Sequence, residues 1–481
     1  MKLKYAKLLS IFPVILILQS CFSGGVLTTL GDDYQKSSPQ TETHWNFSKI
    51  CEDSLVAHQG SVTNLSHWWE SFNDTTLNVF LTAAQQQSYS IAKAKSNIEQ
   101  ARANLVSANA KSFPMIDSNL GYNRAMFNYG GASSISRTIE QFDIQSNWEI
   151  DLFGGLARQK EANESQLEST ILTWHDARVA VAVELANAYT DYRYCENKKT
   201  LVSQDLNSRQ LAEKLTTISN QAGFNSSSDL ALIQANLAQA SNTLFQQTAQ
   251  CEKIIKSLVA MTGLKEIEVR QHLKPLDNQR NSLPKPPSFQ IDSLPAKVVL
   301  QRPDVSAVER EVAYASANIG VAEANRFPKL TITGNIAPAF QSINAGTILF
   351  TPTWAIGPTL SLPLFDAGKR FTNLQVAKVQ YETAVVNFHS VVRTAVKEIE
   401  EAQIRLTSVS RQLPKMRANL EHHQKILFNT QELYNAGLSN LIDLESTKHD
   451  VLSAEMALQD IEYEKVRAWL ALYCAAGGSW T

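Results

Sequence analysis

The 481-residue chain has no apolar run after Leu18 that approaches the ~20 residues a membrane-spanning helix needs. That excludes a polytopic helical membrane protein. It does not exclude a β-barrel, whose alternating strands vanish in hydropathy averages. No polybasic block is present either: Lys plus Arg number 44 against 46 for Asp plus Glu, a formal charge of -2, which argues against a nucleic-acid partner. Catalytic and cofactor patterns are also missing. Gly130-Gly131 and Gly154-Gly155 lack the later Gly or the Lys-Ser/Thr of a phosphate loop, and no nucleophile elbow occurs. No histidine has a helical His-x-x-x-His partner, and the adjacent His422 and His423 would point about 100° apart on a helix, away from any shared metal. These absences point away from an enzyme and from a resident cofactor or metal. With Gly 19 and Pro 15 the chain is neither collagen-like nor wholly disordered, and 44% hydrophobic residues at a mean hydropathy of -0.20 is globular.

Lys2, Lys4 and Lys7 precede the apolar stretch Leu8 to Leu18, which ends in Leu18-Gln19-Ser20-Cys21. This resembles a bacterial lipoprotein signal, with Cys21 as the acylated first residue of the mature chain; an ordinary secretory signal with a chance cysteine is the alternative. Phe22, in place of Asp, implies sorting to the outer membrane and its lipid. Acyl chains would anchor the chain without making it span. Cys51, Cys195, Cys251 and Cys474 remain, enough for two bridges in three connectivities.

The chain is written twice. Phe113-Pro114 recurs as Phe327-Pro328, Gln221-Ala222-Gly223-Phe224 as Asn435-Ala436-Gly437-Leu438, Asp229 as Asp443 and Gly263 as Gly477, all at an offset of 214. Leu152-Phe153 answers Leu364-Phe365 at nearly the same spacing. Leu283-Pro284-Lys285-Pro286-Pro287 through Pro303-Asp304 reads as a proline-rich crossing linker. The expected organisation is a signal peptide over 1–20, an anchor segment over 21–65, a first repeat over 66–265, the linker over 266–300 and a second repeat over 301–478. Each copy should run helix, two strands, a very long helix, a Gly turn and a returning helix.

Two stretches per copy alternate with period two. Phe142, Ile144, Trp148, Ile150 and Leu152 face one way, while Asp143, Gln145, Asn147, Glu149 and Asp151 face the other. Ile116, Leu120 and Tyr122 supply a weaker partner. In the second copy Leu330, Ile332 and Ile336 alternate with Lys329, Thr331, Thr333 and Asn335; Trp354, Ile356, Pro358, Leu360, Leu362 and Leu364 alternate with small and polar residues. Lipid outside and water inside would produce this pattern. A half-buried sheet in a soluble domain would too. Beside an outer-membrane anchor, transmembrane strands are the better reading. Four strands cannot close a barrel, and open edges are not tolerated in hydrocarbon, so the chain must oligomerise. Three copies would supply twelve strands.

From Leu156 to about Ser219 neither Pro nor Gly breaks the chain, a rod of roughly 95 Å if helical. Its return carries Leu230, Leu237, Leu244, Cys251 and Leu258 at coiled-coil spacing. The second rod, about Arg370 to Tyr434, is interrupted only by Pro414, where a kink or packing discontinuity is expected. Cys195 and Cys251 lie symmetrically about the turn at Gly223 on apolar seam positions, which predicts a disulfide; two buried thiols are the alternative. Nothing in the sequence pairs Cys51 with Cys474.

Trp68-Trp69-Glu70-Ser71-Phe72-Asn73-Asp74, Ala101-Arg102-Ala103 running to Phe113-Pro114, Trp148-Glu149-Ile150-Asp151-Leu152-Phe153-Gly154, Arg302-Pro303-Asp304-Val305, Arg326-Phe327-Pro328, Pro363-Leu364-Phe365-Asp366-Ala367-Gly368 and Tyr434-Asn435-Ala436-Gly437-Leu438 together cover almost everything from Trp68 to Trp480. With them the chain resembles the outer-membrane efflux channels of the TolC family, in their lipidated NodT/OprM-like branch. The resemblance implies a homotrimer: a twelve-stranded β-barrel continuing into an α-helical tunnel that projects into the periplasm. It also implies a periplasmic adaptor and an inner-membrane pump of RND or ABC type as partners, with no chemistry performed by this chain. Family hairpins of the second copy close the periplasmic end with acidic residues, which implies a pore constriction over Ile442, Asp443 and Glu445, Ser446 standing where a further acid is common. A cap on the returning helix is the other reading of Asp443, as of Asp229. The tips at Gly223, Asp229 and Gly437 are the implied adaptor contacts. The exit duct of a type I protein secretion system shares this architecture; a lipid-anchored coiled-coil scaffold without a pore would leave the four strands unexplained.

Overall fold

The computed structural model describes residues 24–36, 56–57, 72, 74–128, 134–274, 283–284, 289–290, 295–344, 346 and 348–478. The expected signal peptide, Cys21, Cys51 and most of the proline-rich linker lie outside the described residues. The chain forms two compact units, Met1–Ser38 with Lys95–Leu172 and Ser306–Ser390, and Pro39–Ala94 with Thr173–Val305 and Val391–Thr481. Each unit draws on both copies of the repeat.

The first unit holds one antiparallel sheet of β1 (Met115–Phe127), β2 (Ile135–Ile150), β3 (Lys329–Ile343) and β4 (Ile348–Ser361), in that order. Its register decides what each face presents. Leu120 lies opposite Phe142, Ile144 opposite Ile336 and Ile336 opposite Trp354, while Ile150, Leu330 and Leu360 form another row. Because side chains alternate along a strand, one register gathers the apolar residues of all four strands on one face. Asp117, Asp143, Gln145, Asn335 and Thr353 gather on the other. Most of the apolar face is bare, Leu120 being 86% exposed and Trp354 76%, while Ile150 at its helix-side end is buried. Pro338, opposite Pro352, lacks a ladder N–H, and the pairing of β2 with β3 skips Phe142 and Asp143 at that level. β1 and β4 are each paired on one side only among the described residues.

The helices are α1 (Thr75–Gln87), α2 (Tyr89–Ala110), α3 (Gly155–Gln221), α4 (Ser227–Thr262), α5 (Glu266–Leu273), α6 (Pro295–Leu300), α7 (Pro303–Ala324), α8 (Lys369–Asn435) and α9 (Leu441–Ala475). α3 and α8 are each 67 residues long. α8 runs continuously through Pro414. The stretch 266–300, read from sequence as linker, carries α5 and α6. Glu266 and Glu268 at the start of α5 and Arg270 and His272 at its end suit the helix dipole, and Val269 and Leu273 are buried. Among the described residues no helix is long and apolar enough to cross a membrane.

In the second unit Asp74 both starts α1 and organises the core. Its Oδ1 accepts from the backbone N–H of Thr76 and Leu77, and its Oδ2 accepts from the Tyr189 hydroxyl at 2.5 Å. Tyr189 in turn accepts from Arg193 Nε at 2.8 Å and meets the buried Phe80 edge-on at 6.1 Å. Arg302 ties the other end of the chain: it donates to Asp304, to Glu398 at 2.7 Å and to the carbonyl of Ala475. Gly477, at φ +96°, lets the chain turn against the Arg302 backbone, which a Cβ there would meet at 3.0 Å.

Candidate functional site

The two helical hairpins end in equivalent turns. Phe224 N–H donates to Ser219 O and Gly223 N–H to Asn220 O; Leu438 N–H donates to Leu433 O and Gly437 N–H to Tyr434 O. This is the Schellman pattern, which needs a left-handed residue, and Gly223 and Gly437 sit at φ +81° and +75°. No atom lies within 4 Å of where a Cβ would stand at either glycine, so backbone angle and not space calls for glycine. The turns leave apolar tips in solvent, Phe224 at 83% and Leu438 at 75% exposure.

Past the turns the copies diverge. In the first, Ser226 Oγ accepts from Asp229 N–H at 3.1 Å while the Asp229 carboxylate accepts from Ser226 N–H at 3.2 Å, a closed capping box. In the second, Asn440 takes the cap through Asp443 N–H at 2.8 Å, and the Asp443 carboxylate has only a long 3.5 Å bond from Ser439. Asp229 is committed to its helix start. Asp443 is exposed, whereas Asp229 is half-buried. Glu445 is turned elsewhere: it accepts from Ser208 of α3 at 2.9 Å and pairs with Lys448 at 2.8 Å. It is therefore engaged within the protomer. Ile442 and Glu445 line a cavity of about 570 Å³ with Arg209, Leu232, Val451 and Glu455. Burial raises the Glu455 carboxyl. Arg209 joins Asp205 at 2.8 Å and approaches His449 Nδ1 at 2.9 Å, adding a second polar link between α3 and α9.

Higher along the first hairpin Cys195 and Cys251 are joined as a disulfide, their Cα atoms 5.6 Å apart, while Cys474 is a free thiol. Beside it lies a feature that sequence reading missed. Tyr194 of α3 donates to Asp460 of α9, and Tyr463 of α9 donates to Asp191 of α3 at 2.6 Å. Their rings stack at 4.3 Å between centroids. The clasp is reciprocal, because both helices carry Asp-x-x-Tyr and run antiparallel. Burial, then the bond to Asp191, pushes Tyr463 up to about 12; burial and Asp460 raise Tyr194 in the same way. Both phenols stay protonated donors at any physiological pH. The repeated Asp-x-x-Tyr was the available signal, but nothing local marks it as a contact.

The model of the outer membrane efflux protein family matches residues 80–264 and 294–478, two stretches offset by the same 214 residues as the internal repeat. The chain belongs to that family. This efflux protein is 26% identical over 93% of its length to the solvent efflux pump outer membrane protein SrpC of Pseudomonas putida, covering 95% of that protein. It is 25% identical over 98% of its length to the probable outer membrane lipoprotein SilC of Salmonella typhimurium, covering 99% of it. The crystal structure of the Campylobacter jejuni CmeC outer membrane channel superposes with a TM-score of 0.81 at 20% identity, covering 94% of this chain and 95% of that one, a likeness of fold. An outer membrane efflux protein acts at that membrane, and the fold of this one is the repeated helix–sheet architecture of outer-membrane channels.

Proposed function

We propose that the efflux protein is the exit duct of a tripartite assembly and works as a homotrimer. The observation that carries this is the sheet. Four antiparallel strands present a mostly bare apolar face, a polar face and two unpaired edges, and hydrocarbon tolerates the first but not the last. Edge-to-edge pairing of three sheets closes a twelve-stranded barrel with a water-filled interior. Substrates reach it from an inner-membrane pump of RND or ABC type through a periplasmic adaptor, which contacts the hairpin tips around Gly223, Asp229 and Gly437. The name of SrpC supports the pump, and that of SilC supports an acyl anchor on Cys21.

The constriction reading centres on Asp443. Three carboxylates on a three-fold axis repel one another and concentrate cations, making a charged narrowing. Ile442 lines the cavity between α3 and α9, and Glu445 ties α9 to α3 through Ser208. Single-channel recording in planar bilayers tests both levels. Asp443→Ala is expected to lower cation selectivity several-fold and alter conductance. Unchanged selectivity would remove the gate assignment, and no channels from the wild type would remove the duct.

A further inference from the structure

The cavity between the two hairpins is walled by four helices of the second unit. On α9, Glu445, Lys448, Leu452 and Glu455 follow one another at three or four residues and so share a face; Asp205, Ser208, Arg209 and Ala212 do the same on α3. Leu232 and Ile233 of α4 and Leu427 of α8 complete an apolar wall. At about 570 Å³ the space is of the size that takes a small organic ligand.

The charges around it are matched, with one exception. Arg209 pairs with Asp205 at 2.8 Å, and Lys448 pairs with Glu445 at 2.8 Å. The half-exposed His449 stands 2.9 Å from Arg209 and 3.6 Å from Asp205. Glu455 is left over. It is half-buried on the wall and has no hydrogen bond or ion pair among the described residues. Burial is what raises its carboxyl, so its anion lacks both water and a partner, a deficit that a bound cation would offset.

We propose that this cavity binds an amphiphilic organic cation, with its ammonium group on the Glu455 carboxylate and its apolar body against Leu232, Ile233, Leu427 and Leu452. An anionic guest would meet cations that already have carboxylate partners, and a wholly apolar one would leave Glu455 unpaired. A guest here touches α3 and α4 of the first hairpin and α8 and α9 of the second, so it ties one hairpin to the other. What that tie does to conduction rests on the duct reading above; the binding does not.

Equilibrium dialysis of radiolabelled propranolol, a secondary amine on a naphthyl ether, against the full chain in lipid nanodiscs tests the site. Empty nanodiscs of the same lipid supply the partitioning background. Uptake above that background should saturate at one equivalent per chain. Glu455→Gln should weaken it about tenfold, as expected for the loss of a charge-assisted bond. Leu232→Trp, which sets a larger ring on the wall from a half-exposed position, should abolish the saturable part. The glycol analogue, in which a hydroxyl replaces the amine, should bind the wild type and Glu455→Gln alike. Uptake no greater than that of empty nanodiscs, or equal propranolol affinity in the wild type and Glu455→Gln, would overturn the proposal. Dialysis reads no current, so a wild type that binds propranolol but forms no channels would remove the duct and leave this site standing.

Discussion

Asp176 shows how one side chain can set a pH dependence. It is half-buried on α3 near Asp304, Glu398 and Arg302, and burial first, then the Asp304 charge, push its carboxyl from 3.8 up to about 6. Arg302 pulls the other way but is already committed to Asp304 and Glu398. Between those two pH values the folded state holds a proton that the unfolded chain releases. The stability contributed by the neutral acid is therefore complete below about pH 4 and lost as pH rises through 6. A shift of this size corresponds to roughly 3 kcal/mol when fully buried, and partial exposure reduces it to about 1–2 kcal/mol. Asp176→Asn should accordingly raise the thermal midpoint at pH 8 by about 2–4 °C and leave it unchanged at pH 4. A midpoint lowered at pH 8 would mean that Arg302 needs the Asp176 charge. The free thiol of Cys474 shares this environment; burial pushes it up to about 11, so it stays protonated and unreactive at neutral pH.

At the scale of elements, the first hairpin is fixed twice: by the Cys195–Cys251 disulfide between its own helices and by the Tyr–Asp clasp to α9. The second copy has Val409 where the first has Cys195, so only one hairpin of the pair is covalently stapled. Tyr194→Phe and Tyr463→Phe should each cost about 1 kcal/mol, and because the rings stack the double variant should depart from additivity by about 0.5 kcal/mol or more. Strict additivity in chemical denaturation would show two independent surface bonds. The hairpins, their glycine turns and the facing cysteines were legible because heptad spacing and a symmetric offset are properties of a short stretch of sequence. The strands were legible through their period of two. The clasp was not, since its halves lie on helices in different copies and only packing brings them together. Glu445 stands one residue before the position where a further acid is common, on a different helix face, and its bond from Ser208 of α3 joins helices that no local pattern brings together.

For the whole molecule the decisive quantity is the number of unpaired strand edges. Each chain brings two among the described residues, β1 and β4, and a closed ring of chains would bring none. If β1 of one protomer pairs with β4 of the next, the polar face must continue across the junction, so odd-numbered residues meet odd-numbered residues. Paired Cα atoms in an antiparallel ladder lie about 4.5–5.5 Å apart, within reach of a disulfide. Asn119→Cys, combined in turn with Thr351→Cys, Thr353→Cys and Ala355→Cys, samples the registers near the middle of that seam. One combination should oxidise to a ladder ending at the covalent trimer on a denaturing gel, while the others stay monomeric. A ladder running past three would mean an open filament of sheets instead of a ring. Monomers in every combination, together with a monodisperse monomer in detergent, would mean that the edges are covered within one chain, and the trimeric barrel would have to be abandoned.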